Sequence, residues 1–193
     1  MADEDVVNPQ PAGVKLTYDD FVLFPDDGQR HELIDGEHYV TPSPATKHQR
    51  VLGYLHLLIG NYLEVHPIVQ VFLAPFDIVL SRFDVVEPDL LYMSSARAQE
   101  ILTDQHVRGT PEFVVEIASP GTRRRDEGIK RRLYERSGVS EYWIVDADAE
   151  TIRVYRRSDN GFGRFESFSR QWDDVLRTVL LPGLELQLAR IFR

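Results

Sequence analysis

PEFVVEIASPGTRRRDEGIKRRLYERSGVSEYWIVD, residues 111–146, decides the fold class. PEFVVEIAS (111–119) is a short apolar run of the kind that forms a strand buried on both faces. TRRRDEGIKRRLYERSG (122–138) has the period of a helix, with Gly138 placed to end it, and EYWIVDA (141–147) is a second strand. Strand, helix and strand in that order require a parallel pairing with a right-handed crossover. One residue breaks the apolar logic. Glu116 shares a face with Val114 and Ala118, opposite Phe113, Val115 and Ile117. A carboxylate placed there is costly unless a paired cation, a metal ion or a proton meets it. Six cations, at 123–125 and 130–132, follow directly.

Outward from this unit, TYDDFVLF (17–24) opens with Thr17 and Asp20 in capping-box spacing and predicts a short helix. RHELIDGEHYV (30–40) reads as an N-terminal hairpin around Asp35-Gly36, a preferred type I′ turn pair. KHQRVLGYLHLLIGNYLEVH (47–66) sets Val51, Leu55, Leu58, Ile59 and Leu63 at helical spacing. VFLAPFDIVLS (71–81) is a strand broken near Pro75, and EPDLLYMS (87–94) is another. SARAQEIL (95–102) holds a helical turn or two. TIRVYRR (151–157) and GRFESFS (163–169) extend the sheet as a terminal hairpin. The expected architecture is α/β (α+β): a mixed β-sheet flanked by helices, with residues 1–14 a disordered tail and 15–193 one domain.

Composition bounds the function. The chain has 193 residues, 42% hydrophobic and 27% charged, as in an ordinary soluble protein. No apolar run approaches the roughly 20 residues of a membrane helix, so no membrane partner is expected. The acidic, proline-bearing start is unlike a signal peptide, and there is no cysteine, which together predict a cytoplasmic protein without thiolate metal sites. The net charge of −9 hides an asymmetry: residues 1–100 hold 16 acids and 6 bases, leaving 15 acids and 16 bases for 101–193.

Glu87-Pro88-Asp89 opens one strand and Glu116 lies within the next. If these strands are neighbours, Asp89 and Glu116 converge, and two bare carboxylates would force one to protonate. A divalent metal removes the conflict, and hard oxygen donors favour magnesium or manganese over zinc. At about 100° per residue, Lys130 falls between Leu133 and Tyr134 on the inward stripe, whereas Arg124, Arg125, Arg131, Arg132 and Arg136 fall outside it. Lys130 can then reach the carboxylate pair while the arginines face outward towards phosphates.

EPDLLYMS, the 111–146 stretch and the upstream HELIDGEHYVTPSPATKHQRVL together resemble the Uma-two family of the PD-(D/E)xK restriction-endonuclease-like superfamily, over roughly residues 17–157. The resemblance implies a metal-dependent endonuclease acting on DNA, leaving 5′-phosphate and 3′-hydroxyl ends, with Mg2+ or Mn2+ as cofactor. It implies Asp89 and Glu116 as metal ligands with the Ile117 carbonyl beside them, a lysine assisting the attacking water, and Glu32 at the same site. It also suggests a homodimer, for which LELQLARIF (184–192) offers an apolar surface. The superfamily's plainest pattern puts the lysine two residues after the glutamate, where this chain has Ala118, and Lys130 on the following helix replaces it.

Blander readings stand beside these. Pro-Asp at a strand start is usually a turn, and Lys130 can snorkel and pair with Asp126, four residues earlier. Glu32 beside a turn and His48 at a helix start are commonly structural. Tyr142 and Trp143 fit a core, and the arginines, interleaved with acids, fit a solvated helix face. The alternative function is a catalytically degenerate nuclease fold used as a nucleic-acid or protein interaction module, favoured by Ala118 and the negative charge.

Overall fold

The computed structural model describes residues 13–193, so the tail predicted over 1–14 lies, for residues 1–12, outside the described part. Helix α1 (Tyr18–Phe21) starts at Thr17, whose backbone N–H and hydroxyl both donate to the Asp20 carboxylate, 2.8 and 2.7 Å. The hairpin follows as β1 (Arg30–Ile34) and β2 (Glu37–Thr41), with φ of +55° at Asp35 and +76° at Gly36. Both central residues therefore take the left-handed conformation that the type I′ turn requires. Helix α2 (Thr46–Leu63) buries Val51, Leu55, Leu58 and Ile59 as its spacing predicts.

The strand broken at Pro75 is two strands in two sheets: β3 (Val69–Leu73) and β4 (Ile78–Ser81). Then come β5 (Asp84–Val86), β6 (Leu90–Ser94), α3 (Ser95–Ile101), β7 (Val107–Arg108) and β8 (Phe113–Ala118). The helix expected over 122–138 is real but interrupted. It runs as α4 (Arg123–Arg125), a π-helical turn over Asp126–Lys130, and α5 (Arg131–Ser137), capped by Gly138 at φ +96°. The chain continues through β9 (Glu141–Asp146), β10 (Thr151–Ser158), β11 (Gly161–Phe162), β12 (Glu166–Ser169), β13 (Val175–Leu176), β14 (Leu186–Gln187) and α6 (Leu188–Ile191).

The larger sheet has the order β11-β10-β9-β8-β6-β3, with β12 also on β10. Its one parallel pairing is β8 with β9, joined by the α4–α5 crossover; β6 lies antiparallel on the other side of β8. A smaller sheet, β2-β1-β5-β4-β7, was not legible beyond its hairpin. The architecture is thus a mixed α/β (α+β) fold with the sheet flanked by helices.

Two cores form on the two faces of the larger sheet. Phe113, Val115 and Ile117 pack with α2, Trp143 and the C-terminal Leu184, Leu186, Leu188, Ile191 and Phe192. The LELQLARIF segment is therefore consumed inside the chain's own core, and it does not offer the dimer surface expected of it. Val114 and Ala118 face the other way, against Leu133, Tyr134 and the smaller sheet's Ile34, Ile78 and Val86. Glu116 belongs to this second face, and the hairpin, the crossover helix and β6 close around it. No helix among the described residues is long and apolar enough to cross a membrane.

The hairpin's position depends on Gly36. Its N–H donates to the Phe83 carbonyl and its carbonyl accepts from Leu16, both 2.9 Å. A Cβ at Gly36 would stand 2.6 Å from Lys15 Cβ, on a backbone at φ +76°. Gly36→Ala should therefore cost about 1–3 kcal/mol, seen as a lower urea midpoint. A midpoint within error of wild type would show that the turn is not constrained.

Candidate functional site

Register brings the predicted residues together. Leu90 pairs with Val115 across the β6–β8 ladder, so Asp89, one residue earlier, stands beside Glu116 on the neighbouring strand. Asp89 is 3% exposed and fully engaged. Its Oδ1 accepts from Arg30 Nη1 at 2.9 Å, and its Oδ2 accepts from the Ile117 N–H at 2.8 Å and from His48 Nε2 at 3.0 Å. A carboxylate only accepts, so His48 carries its proton on Nε2. Sequence reasoning allowed His48 to cap or line the site but favoured a structural role; α2 delivers it, buried, onto Asp89.

Lys130 Nζ lies 2.8 Å from Glu116 Oε1 and 2.7 Å from Glu32 Oε1. Its ion pairs are with these residues of β8 and β1, so the pairing with Asp126 considered from spacing does not form. Tyr134 donates a further hydrogen bond to Glu116 Oε1, 2.7 Å, and the Glu87 N–H donates to Glu32 Oε1, 3.0 Å. Asp89, Glu116 and Lys130 thus line one cleft of about 900 Å³, with Glu32 held against Lys130.

The outward reading of the arginines needs correction. Arg125 is buried, with Nη2 donating to Thr41 Oγ1 at 2.6 Å and its guanidinium over the Tyr39 ring. The physical reason is the π turn. Its i→i+5 bonding sets residues five apart on one face, so Arg125 and Lys130 both point inward. Of the others, Arg123 pairs with Asp146, Arg131 with Glu135 and Arg136 with Asp84; Arg124 and Arg132 are exposed. Arg30 and Glu87 were not singled out at all. The antiparallel contact of β1 with β5, which no local pattern announces, carries Arg30 to Asp89, whereas Glu87 lies two residues from Asp89 in the sequence.

Charge is unbalanced in this cluster. Glu32, Glu87, Asp89, Glu116 and Asp126 are buried beside Arg30, Arg125 and Lys130. Burial, helped by the Asp126, Asp89 and Glu32 charges and opposed by Lys130, pushes the Glu116 carboxyl up to about 8. Burial likewise raises Glu87 to about 7 and Asp126 to about 6. Burial also works on Glu32 and Asp89, but is overcome: Lys130 and Arg125 hold Glu32 below the usual range, and the His48 hydrogen bond with Arg30 does so for Asp89. Burial disfavours the Lys130 ammonium, yet Glu116 and Glu32 more than compensate and keep it protonated.

The donor set suits a hard divalent cation. Glu32 Oε2, Glu87 Oε1 and Asp126 Oδ1 are buried with no hydrogen-bond partner among the described residues, and oxygen is the only donor type the carboxylates offer. Among the described residues no three His, Asp or Glu side chains gather as a ready metal cluster. An ion would rest on one or two carboxylates and complete its shell from water and phosphate, which is the habit of magnesium.

Comparison with known proteins gives the lineage. Residues 18–189 match the Uma2 family, described as "Putative restriction endonuclease". The chain belongs to the Uma2 family. Its fold is similar to a crystal structure described as a putative nuclease belonging to DUF820 from Anabaena variabilis. That similarity has a TM-score of 0.77 and 20% identity, covering 92% of this Uma2 chain and 97% of the other. At such identity it carries the fold alone. No curated protein matches the chain.

The raised carboxyls set a pH dependence in the metal-free protein. Protonated Glu116, Glu87 and Asp126 bind protons more tightly folded than unfolded, so their stability contribution is complete below about 4.5 and lost as pH rises through 6 to 8. Asp89 and Glu32 act oppositely, losing theirs as pH falls below the ordinary 3.8 and 4.5. Melting temperature in EDTA should peak near pH 5 and decline towards about 8.5. A flat or rising profile over that interval would contradict the assignment.

Proposed function

We propose that this cleft is the active site of a metal-dependent endonuclease that hydrolyses phosphodiester bonds, with DNA as substrate. The observation that carries the proposal is the convergence of Asp89, Glu116 and Lys130 in one cleft, with Glu32 held against Lys130 and a buried oxygen of each of the lining residues Glu87 and Asp126 left unpaired. Family membership supports the reaction class, and the donor chemistry supports Mg2+ or Mn2+ as cofactor.

Asp89 and Glu116 are the residues that would hold the ion, with the Ile117 carbonyl beside them; Ile117 already gives its N–H to Asp89. When bound, the cation would neutralise the carboxylates and polarise the scissile phosphate. The chain's own groups do the rest. Lys130, charged and gripped by Glu32, presents Nζ–H donors that orient water and stabilise negative charge growing on phosphate oxygens. Glu32 positions Lys130, and Tyr134 fixes the Glu116 carboxyl through Oε1.

One observation favours a second reading. Both Asp89 oxygens already accept from Arg30, His48 and Ile117, as they would in a degenerate site kept as an interaction module. Such a module would bind DNA in a salt-sensitive way without metal.

Mn2+ or Mg2+ should raise the melting temperature of wild type, and Asp89→Asn should abolish the rise. Lys130→Met should reduce single-turnover cleavage of plasmid DNA at least about 100-fold while Mn2+ binding persists. Circular dichroism checks that both variants fold. Equal cleavage by wild type and Lys130→Met would remove Lys130 from the chemistry, and cleavage in EDTA would remove the metal.

Cutting both strands of a duplex calls for two such clefts, and we propose a homodimer on that ground. Light scattering at micromolar concentration should give twice the chain mass. A monomer mass with intact duplex cleavage would overturn it.

A further inference from the structure

The nuclease reading assigns no role to Arg125, although burying this guanidinium is among the more costly features of the cleft. Arg125 is 4% exposed, and its Nε and Nη1 have no hydrogen-bond partner among the described residues. Only Nη2 is used, on Thr41 Oγ1. A buried donor without an acceptor is disfavoured, and here two nitrogens of one side chain are in that position.

The simplest structural role would be an ion pair with Glu32. The geometry supports only a loose one. Glu32 Oε2 stands 3.9 Å from Arg125 Nη2, too far for a hydrogen bond, and that oxygen is itself unpartnered. Glu32 cannot simply turn to close the gap, because its Oε1 is held by Lys130 and by the Glu87 N–H. Arg125 is restrained too, by Thr41 on one side and the face of Tyr39, 5.5 Å from its guanidinium carbon, on the other. The two restrained groups are therefore paired by charge without a hydrogen bond between them, and Arg125 is the one that lines the cleft.

We propose that Arg125 is a phosphate-binding residue, donating from its free Nε to a non-bridging oxygen of a phosphodiester seated in the cleft. The proposal rests on the nuclease reading for the kind of diester, a nucleic-acid strand. An anion entering among ionised Asp89 and Glu32 must meet positive charge that is not already neutralised. Arg30 is tied to Asp89, and Lys130, which gives two of its three N–H groups to Glu116 and Glu32, has only one left for a phosphate oxygen. Arg125 lines the same cleft and keeps two nitrogens unpaired, both covered from solvent until a diester moves what covers them. Guanidinium suits this task because its planar, delocalised donors match phosphate oxygens, and pre-orientation saves the entropy of arranging them at binding.

The test uses the full chain in EDTA, the dinucleotide thymidylyl-thymidine, and its uncharged methylphosphonate analogue, followed by NMR. On wild type the dinucleotide should shift the Arg125 Nε–H resonance, and the methylphosphonate should bind at least about tenfold more weakly. Arg125→Met should lose a similar factor, and Arg132→Met, which removes an exposed arginine of the same helix, should not. An unmoved Nε–H resonance at saturating dinucleotide, equal binding of both probes, or wild-type affinity in Arg125→Met would overturn the proposal. The wild-type resonance decides the matter even if Arg125→Met fails to fold. Arg125-dependent binding without any Mn2+-supported cleavage would sink the nuclease reading and leave this inference standing. Cleavage with Arg125-independent binding would do the reverse.

Discussion

A single buried ammonium joins three separate parts of the chain. Lys130 Nζ, from the π turn of the crossover helix, touches Glu116 in the middle of β8 and Glu32 on the hairpin. Each of these charges alone would cost several kcal/mol to bury, and together they are tolerable only because the contacts are short and further donors complete them. Tyr134 and the Glu87 N–H supply those donors. The hairpin has no other comparable ionic tie to the larger sheet among the described residues except Arg30 on Asp89, made two residues away on the same strand. Polar contacts of this kind hold the hairpin over the sheet face and, by doing so, form the wall of the cleft.

The same contacts leave a surplus of negative charge, and it is resolved unevenly. Asp89 and Glu32 have the cations close by and stay ionised, whereas Glu116, Glu87 and Asp126 are pushed towards protonation. The question raised by one glutamate in an apolar strand thus has two answers in the structure: a paired cation, Lys130, and a proton held into the neutral range. A divalent ion would be the third, and it would compete with the proton for the same carboxylates. That competition couples metal affinity to pH and gives the cluster a reason to carry more acids than its own cations can neutralise.

What the sequence made legible was local. The β8–helix–β9 crossover follows from period and caps, the hairpin from Asp35-Gly36, and the opposed faces of β8 from simple alternation. Asp89 and Glu116 could be paired because adjacent short strands tend to be neighbours. The smaller sheet was hidden because β5 and β7 are only three and two residues long, too short to show a period of two. Everything that depends on that sheet was hidden with it. Arg30 reaches Asp89 through β1, and His48 does so through the start of α2. The C-terminal segment was misjudged for a related reason: its apolar residues match a distant partner, the outer face of α2 and the sheet, which local pattern cannot identify.

The misplacement of Arg125 is the more instructive failure, because the helix itself was expected. On a regular α-helix, five residues advance the direction by roughly 500°, so Arg125 and Lys130 would stand about 140° apart and could not both enter the cleft. A single π turn between them removes that angular offset without ending the helix, since α5 resumes at Arg131 and buries Leu133 and Tyr134 as before. Such turns lose good backbone geometry and are kept where the reoriented side chains matter. Here the gain is two cations on one face beside five buried acids. A helix with ideal period would supply only one, leaving either Glu116 or the mouth of the cleft without positive charge. The departure from regular geometry is therefore what lets one helix serve both the carboxylate floor and the wall that an anion would meet.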